Sequence, residues 1–447
     1  MTDPGVVSAG VSSQYAPGPV EHAADFKREP CVLGSLPGPK SRDLALRLSR
    51  RESPNITFVG GAFPVFWHRA SGCYVQDVDG NTFLDFTSAF GVAGVGHAHP
   101  DVVAAIQDQS SLLIHGMGDV HPSDVKVTLL ERIAEHVPIA DAQVILSQNG
   151  SDAIEAALKT ARLATGKRGI LAFEGGYHGL SYGALDATAR SDFRLPFSDQ
   201  LGGFTRHLPY GCDIAEIDAV LAQGMVGAAL FEPIQGRGGI RVPPAGWLHA
   251  LAESCRRTGV LLIADEIFTG WGRTGDWFAC ENEGIVPDIM CIGKAMGGGL
   301  PISACVAGRG LMSAWGKSRG EALHTSTFLG NPLACRAAVA AIGVMERDDL
   351  PGRARSAGSA LRAQLHILVD RFPNLYEDAR GRGLMLGLKC KSVATSLEIV
   401  EESLKRGLIL LPAGDGSIIE LIPPLVVAAE DIAAASAILD AVSGVHS

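Results

Sequence analysis

At 447 residues, with 47% apolar and 19% charged residues, the chain is long enough to bury one large core or two lobes without disulfides or metals to brace it. Acidic residues outnumber basic ones 48 to 38, a formal net charge of -10, and no local Lys/Arg patch stands out, so a nucleic-acid partner is not expected. No stretch approaches the roughly 18 uninterrupted apolar residues of a spanning helix, and Asp3, Glu21, Asp25 and Lys27 interrupt the first thirty residues, so neither membrane insertion nor export is expected.

Residues 1–40 hold Pro4, Pro17, Pro19, Pro30, Pro37 and Pro39 among several glycines and read as an irregular arm. A helical segment near Ser41–Arg51 follows, and Val65–Phe86 then alternates like short strands about the turn Asp79-Gly80-Asn81. We assign 41–90 to the N-terminal part of a small domain. From 91 to 345 apolar runs alternate with helical segments, the pattern of a mostly parallel sheet covered on both faces. The predicted strands are Gln143–Leu146, Gly169–Phe173, Val226–Phe231, Val260–Ala264, Ile289–Ile292 and Ile302–Ala307, and the predicted helices Ser151–Ala164, Leu248–Arg257 and Pro332–Arg347. Residues 346–447 read as an α+β tail that completes the small domain. Its helices are Ala354–Phe372, Ser396–Arg406 and Asp431–Val442, and its strands Leu384–Leu388 and Leu408–Leu411. Nine cysteines, with no C-x-x-C pair, read as reduced, buried thiols of a cytoplasmic protein.

Ligands of an open parallel sheet bind beyond the carboxyl ends of its strands. Immediately after the predicted strands stand Asn149-Gly150-Ser151-Asp152, Tyr177-His178, Glu232, Asp265-Glu266 and Lys294, so five crossovers each deliver polar or aromatic groups to one edge. The set meets the needs of pyridoxal 5′-phosphate (PLP): an amine for a Schiff base, a carboxylate for the ring nitrogen, a phosphate cradle and flat groups for the ring faces. Gly150-Ser151 opens a helix whose free N–H groups favour a phosphate, or serves only as an ordinary helix cap. Asp265 ends an apolar strand and would be satisfied there by a cation or by nearby backbone. Lys294, between Ile292 and Gly297-Gly298-Gly299, is either a desolvated nucleophile or a solvent-facing loop lysine. Lys294 precedes its glycines, so the run is no Walker A loop, and His97-Ala98-His99 lacks neighbouring ligands, so no metal is expected.

These residues resemble the class III, or omega-type, aminotransferase family. The matching segments are Asp77-Val78-Asp79-Gly80, Gly96-His97 with Pro100, Gly150 through Ala156, Tyr177-His178-Gly179, Glu232-Pro233-Ile234-Gln235-Gly236, Asp265-Glu266-Ile267, Gly272-Arg273-Thr274-Gly275, Asp288 through Lys294, and Thr327 through Pro332, in the family's order. The resemblance implies PLP-dependent transferase fold type I, an α/β fold with a large mostly parallel-sheet domain and a small α+β domain. It further implies that Lys294 carries the cofactor as a Schiff base and shuttles the substrate proton, while Asp265 keeps the pyridine nitrogen protonated. Gly150 and Ser151 would bind the phosphate from one subunit and Thr327 from the other, in an obligate homodimer with shared sites. Tyr177 would stack on one ring face, Ile267 would pack on the other, and Gln235 would lie near the phenolic oxygen. His178 and Glu232 complete the cofactor contacts.

Departures from the family pattern bear on substrate. Members that act on gamma-amino acids or acetylornithine usually carry an arginine right after the Tyr/Phe-His-Gly motif, where this chain has Leu180. Many also place a glutamate five residues after the Glu of Glu-Pro and an arginine shortly before the late Pro-Pro-Leu; here those positions are Arg237 and Glu420. The charges are exchanged, and the two residues form either a specificity switch or a solvated surface pair. Phe90, Leu180, Arg237 and Glu420 are the candidate substrate contacts. The reading is reversible amino transfer between an amine or amino-sugar-like substrate and an oxo-acid or aldehyde, with a racemase, epimerase or aminomutase on the same fold as the alternative.

Overall fold

A computed structural model of the chain describes residues 27–446; residues 1–26 of the predicted N-terminal arm lie outside the described residues. Its centre is a seven-stranded sheet in the order Ala142–Ser147, Ser303–Gly308, Ile289–Ile292, Leu261–Asp265, Val226–Phe231, Gly169–Phe173 and Thr205–Leu208. Six strands point the same way. Ser303–Gly308 runs antiparallel to both its neighbours, so the strand expected at Ile302–Ala307 is present and faces the other way. Val226–Phe231 and Ile289–Ile292 are buried along their whole length, which is why they read as unbroken apolar runs and not as alternating ones. Thr205–Leu208 was not expected: with Arg206 and His207 in its middle and a place at the sheet edge, it carries no apolar run.

Helix ends follow local chemistry. Helix Gly150–Thr165 starts where the Asn149 side chain accepts from the Asp152 N–H and stops at Gly166, whose left-handed backbone returns its N–H to Arg162 O. Helix Pro332–Arg347 is fixed by Asn331, which accepts from Leu333 and Ala334 N–H, with Pro332 in its first turn. Helix Leu350–Arg371 begins earlier than its periodicity suggested because Asp349 caps Gly352 N–H. Helix Asp124–His136 packs on the edge strand Ala142–Ser147, and both it and helix Pro100–Leu112 pack on helix Pro332–Arg347.

Sequence-remote segments meet in the two smaller sheets. Strands Trp67–Ser71, Tyr74–Asp77 and Thr82–Asp85 form one with Leu408–Ile409, which pairs parallel to the third at Leu84 and Asp85. Tyr376–Arg382, Met385–Cys390, Ile418–Leu421 and Leu411–Ala413 form the other, wholly antiparallel. The single strand expected at Leu408–Leu411 is therefore two: the chain crosses from one sheet to the next at the buried Leu410. Arg273, fully buried, ties the central unit to the C-terminal segment by donating to the carbonyls of Leu384 and Pro423, and burial pulls its guanidinium down to about 9. His97 bonds Asp85 at 2.7 Å, and His99 accepts from Asp101 N–H. Seven of the nine cysteines are buried; Cys31 is exposed and Cys212 half-buried. Among the described residues no helix is long and apolar enough to cross a membrane.

Helix Leu350–Arg371 packs against the C-terminal sheet so closely that a Cβ on Gly358 would sit 2.0 Å from Gly383 O. Backbone cannot swing aside as a side chain can, so Gly358→Ala is expected to cost ~1–3 kcal/mol. Gly343, inside helix Pro332–Arg347, has nothing within 4 Å of its would-be Cβ, and Gly343→Ala should gain up to ~1 kcal/mol from helix propensity. Thermal unfolding of the two variants checks this; shifts of the same sign would rule out the packing argument.

Candidate active site

Beyond the carboxyl ends of the central strands lies a cavity of about 720 Å³, and all five crossovers contribute to its wall, through Gln148 to Ser151, Tyr177 to Ser181, Glu232, Asp265 with Ile267 and Phe268, and Lys294. Strand Leu261–Asp265 delivers Asp265 at its last residue, buried. One carboxylate oxygen lies 2.8 Å from His178 Nδ1 and the other accepts from Ile267 N–H at 3.2 Å. Asp265 thus has both a side-chain and a backbone partner within the protein. His178 is itself fixed by its own N–H, which donates to Thr188 Oγ1.

Lys294 follows strand Ile289–Ile292 by two residues and has a left-handed backbone, φ 44°. Its side chain reaches into the cavity, where Nζ lies 3.8 Å from the centre of the Phe268 ring. Desolvation lowers its ammonium to about 8, against the opposing pull of Asp265, Glu232 and Glu420. It is no solvent-facing loop lysine. Glu232 accepts from Tyr177 N–H and Gly236 N–H, both at 3.0 Å. Desolvation still pushes its carboxyl up to about 7.

The wall next to Lys294 has the form a PLP phosphate and ring require. The first N–H groups of helix Gly150–Thr165 have no carbonyl one turn back to bond, and a Cβ on Gly150 would come within 2.9 Å of Ile267 Cδ1, so only glycine leaves this corner open. Ser151 Oγ meets Ser181 Oγ at 2.6 Å. Tyr177 and Ile267 are both half-buried wall residues. The residues present fit the cofactor.

Several expected contacts are placed elsewhere. Gln235 is not in the cavity wall: its amide donates to Glu174 O at 2.9 Å, its backbone pairs with Arg241, and its Oε1 is buried without a partner. Thr327 is exposed and off this chain's cavity, as is Phe90, 56% exposed with φ 62°. Leu180 lines the mouth, 49% exposed. Arg237 lines the cavity with its guanidinium 5.4 Å from the Tyr177 ring centre. Glu420 is buried, and desolvation raises it to about 7 although Arg237 and Lys294 pull it down. Its Oε2 has no hydrogen-bond partner, and no ion pair joins it to Arg237. The two are therefore neither a solvated surface pair nor a parked salt bridge, but separate groups that feel each other's charge. Two features escaped the sequence reading: Phe268 against Lys294, and the His178–Asp265 bond. Phe268 stands only three residues past the strand end that carries Asp265, so the strand-end rule extends to it.

Comparison with known proteins agrees with this geometry. Residues 59–442 match the Aminotransferase class-III family. The acetylornithine aminotransferase of Methanosarcina acetivorans is 36% identical over 382 residues, 86% of this chain and 92% of that protein. Ornithine aminotransferase from Toxoplasma gondii superposes with a TM-score of 0.84 at 30% identity, over 91% of this chain and 96% of the other. An amine transaminase from an uncultivated Pseudomonas species superposes with a TM-score of 0.81 at 29% identity, over 88% and 98%. With a lysine, a carboxylate and an open helix end converging on one cavity, and with that match spanning most of its length, the chain belongs to the class III aminotransferases and is a PLP-dependent aminotransferase.

Proposed function

We propose that Lys294 is the residue that holds the cofactor, and that the chain moves an amino group between a small amine or amino-sugar-like substrate and an oxo-acid or aldehyde. The observation that carries the reading is the lysine of lowered pKa facing the same cavity as buried Asp265 and the open end of helix Gly150–Thr165. PLP, when bound, supplies a sink for the electrons released at the substrate carbon. Asp265, oriented by His178, would hold the ring nitrogen's proton. Gly150 and Ser151 would hold the phosphate, and Tyr177 and Ile267 would flank the ring. Lys294 Nζ moves the proton at the substrate carbon: with its pKa lowered to about 8, more of it is free amine near neutrality than of an ordinary lysine. Glu232, held by two backbone N–H groups, fixes the Tyr177 loop.

Leu180 at the mouth supports a donor without a distal carboxylate. Among the described residues Arg237 is the one arginine in the cavity wall, and it is the group available to a substrate carboxylate. Gln235 would reach the cofactor only after a side-chain turn. The domain division into 91–345 and into 41–90 with 346–447 belongs to this proposal. So does a homodimer in which Thr327 serves the partner's site. Asn331 bonds Ile114 O and Thr325 bonds Asp119, so the segment with exposed Leu112, Ile114 and Met117 runs beside the one with exposed Thr327 and Phe328. Buried free thiols suit a cytoplasmic location.

Borohydride reduction of the holoenzyme followed by peptide mapping should place the cofactor on Lys294, and Lys294→Ala should abolish turnover with PLP bound only non-covalently. Label on another lysine would reject the assignment. Asp265→Asn removes the counter-charge and weakens the His178 bond; breaking a desolvated charge pair costs ~3–5 kcal/mol, which slows the chemical step by roughly two to four orders of magnitude. Near-normal single-turnover rates would exclude the role. In half-reactions with a panel of donors, simple amines should turn over well, and Arg237→Ala should raise the KM of carboxylate-bearing donors by about tenfold or more, the loss of a charged hydrogen bond, with little effect on simple amines. Equal losses for both donor types would remove Arg237 from carboxylate recognition.

A further inference from the structure

A second cavity, of about 390 Å³, lies along the C-terminal half of helix Gly150–Thr165. Its interior is apolar, made by Leu158, Ile170, Phe204 and Trp315. Four cations, Lys159, Arg162, Lys167 and Arg168, stand around it with a single carboxylate, Glu155. Among the described residues none of the four pairs with a carboxylate. Lys159 Nζ bonds His324 Nδ1 at 3.1 Å and Arg168 donates to Gly202 O at 2.9 Å, while among the described residues the Arg162 and Lys167 side chains have no hydrogen-bond or ion-pair partner. Glu155 is already engaged, accepting from Ser181 Oγ and Gly183 N–H at 2.8 Å and from Ala184 N–H at 3.1 Å. Leu163 and Leu323 line the same cavity 43% and 73% exposed.

Such an arrangement carries two separate costs. Cations clustered without counter-charges repel one another, and apolar side chains left beside them stay hydrated. One kind of occupant relieves both. We propose that this cavity binds an amphipathic organic anion, its head group on Arg162 and Lys167 and its apolar body against Phe204 and Trp315. The volume lies at the lower end of the range of roughly 300–1,000 Å³ for small-molecule sites. The site is joined to the catalytic cavity through Glu155, which holds Ser181; Ser181 Oγ in turn meets Ser151 Oγ at 2.6 Å, and both serines line the first cavity. A bound anion repels the Glu155 carboxylate and loosens its hold on the Ser181–Ala184 turn, so occupancy alters the donor KM. Neither the binding nor its direct readout depends on the substrate proposed above.

The experiment titrates the PLP-loaded enzyme, its phosphate cradle filled, with octanoate and with phenyl phosphate, and follows Trp315 emission, assigned by its loss in Trp315→Phe. Saturable binding of either probe is expected, weakened by added salt and at least tenfold weaker in Arg162→Glu/Lys167→Glu. The tighter probe tells whether the apolar body is a chain or a ring. That double variant should keep its probe-free turnover at saturating donor, since neither residue lines the catalytic cavity, while its two new carboxylates beside Glu155 should displace the donor KM in the direction a bound anion does. No saturable change, equal affinity in the double variant, or closure of the cavity by a second copy, seen as probe-driven dissociation in sedimentation, would overturn the site. With probe bound, donor KM should shift severalfold in the wild type and less in Glu155→Gln; an unchanged wild-type KM would overturn the coupling.

Discussion

Desolvation at the carboxyl edge of the central sheet acts in opposite senses on neighbouring groups: it draws the Lys294 ammonium down to about 8 and pushes Glu232 and Glu420 up to about 7. Three groups whose ordinary ranges lie far apart are thereby brought to titrate close to neutrality. Burying them is costly unless fixed dipoles stand in for water. Glu232 receives two backbone N–H groups and Asp265 receives His178 and Ile267 N–H. A parallel sheet supplies these because every crossover turns at the same edge, where loop N–H groups and helix starts gather.

That edge is completed only by chain from far away in sequence. Glu420 lies on a strand of the C-terminal sheet, and it reaches the neighbourhood of Lys294 because Ile422 N–H donates to Phe86 O and Leu425 N–H to Gly94 O. The buried Arg273 guanidinium spans the same joint, and its neighbours Leu384 and Pro423 flank the segments that carry Glu420. Among the described residues this buried cation bonds only carbonyls and the Ser88 hydroxyl, an expensive brace in which those acceptors stand in for the lost hydration. The relative placing of Lys294 and Glu420 therefore depends on contacts that neither residue makes itself.

Much of this was legible in the sequence because a fully buried strand and the polar residue that ends it are both local signals. Val226–Phe231 with Glu232, and Ile289–Ile292 with Lys294, announce a sheet edge without any tertiary information. Side-chain direction within a loop is not local. Gln235 sits in a motif that points it toward the cofactor, yet its amide is taken by the carbonyl of Glu174, a contact set by the turn at Gly236 to Gly239. Arg237 and Glu420 read as a pair because their charges are opposite, whereas the guanidinium lies over the Tyr177 ring and the carboxylate in a separate buried place. The division of Leu408–Leu411 between two sheets was equally hidden, since each part keeps the apolar character a single strand would have.

The three displaced titrations also set how the fold responds to pH. For Glu232 and Glu420 the folded pKa, about 7, lies above the ordinary 4.5, so the stability that burial of the neutral form contributes is full below 4.5 and is lost as pH rises through about 7. Lys294 is displaced downward, from 10.5 to about 8, so its cost is full below about 8 and fades only as pH climbs toward 10.5. Between about 7 and 8 all three costs are present at once. Whatever occupies the cavity and takes over the Lys294 amine removes one of them, and by mass action such a group stabilises the folded chain in proportion to its affinity for it. The residues that are costly to bury at this edge near neutrality are thus the ones whose cost a bound group would relieve, and a well-packed apolar edge would be more stable and would bind nothing.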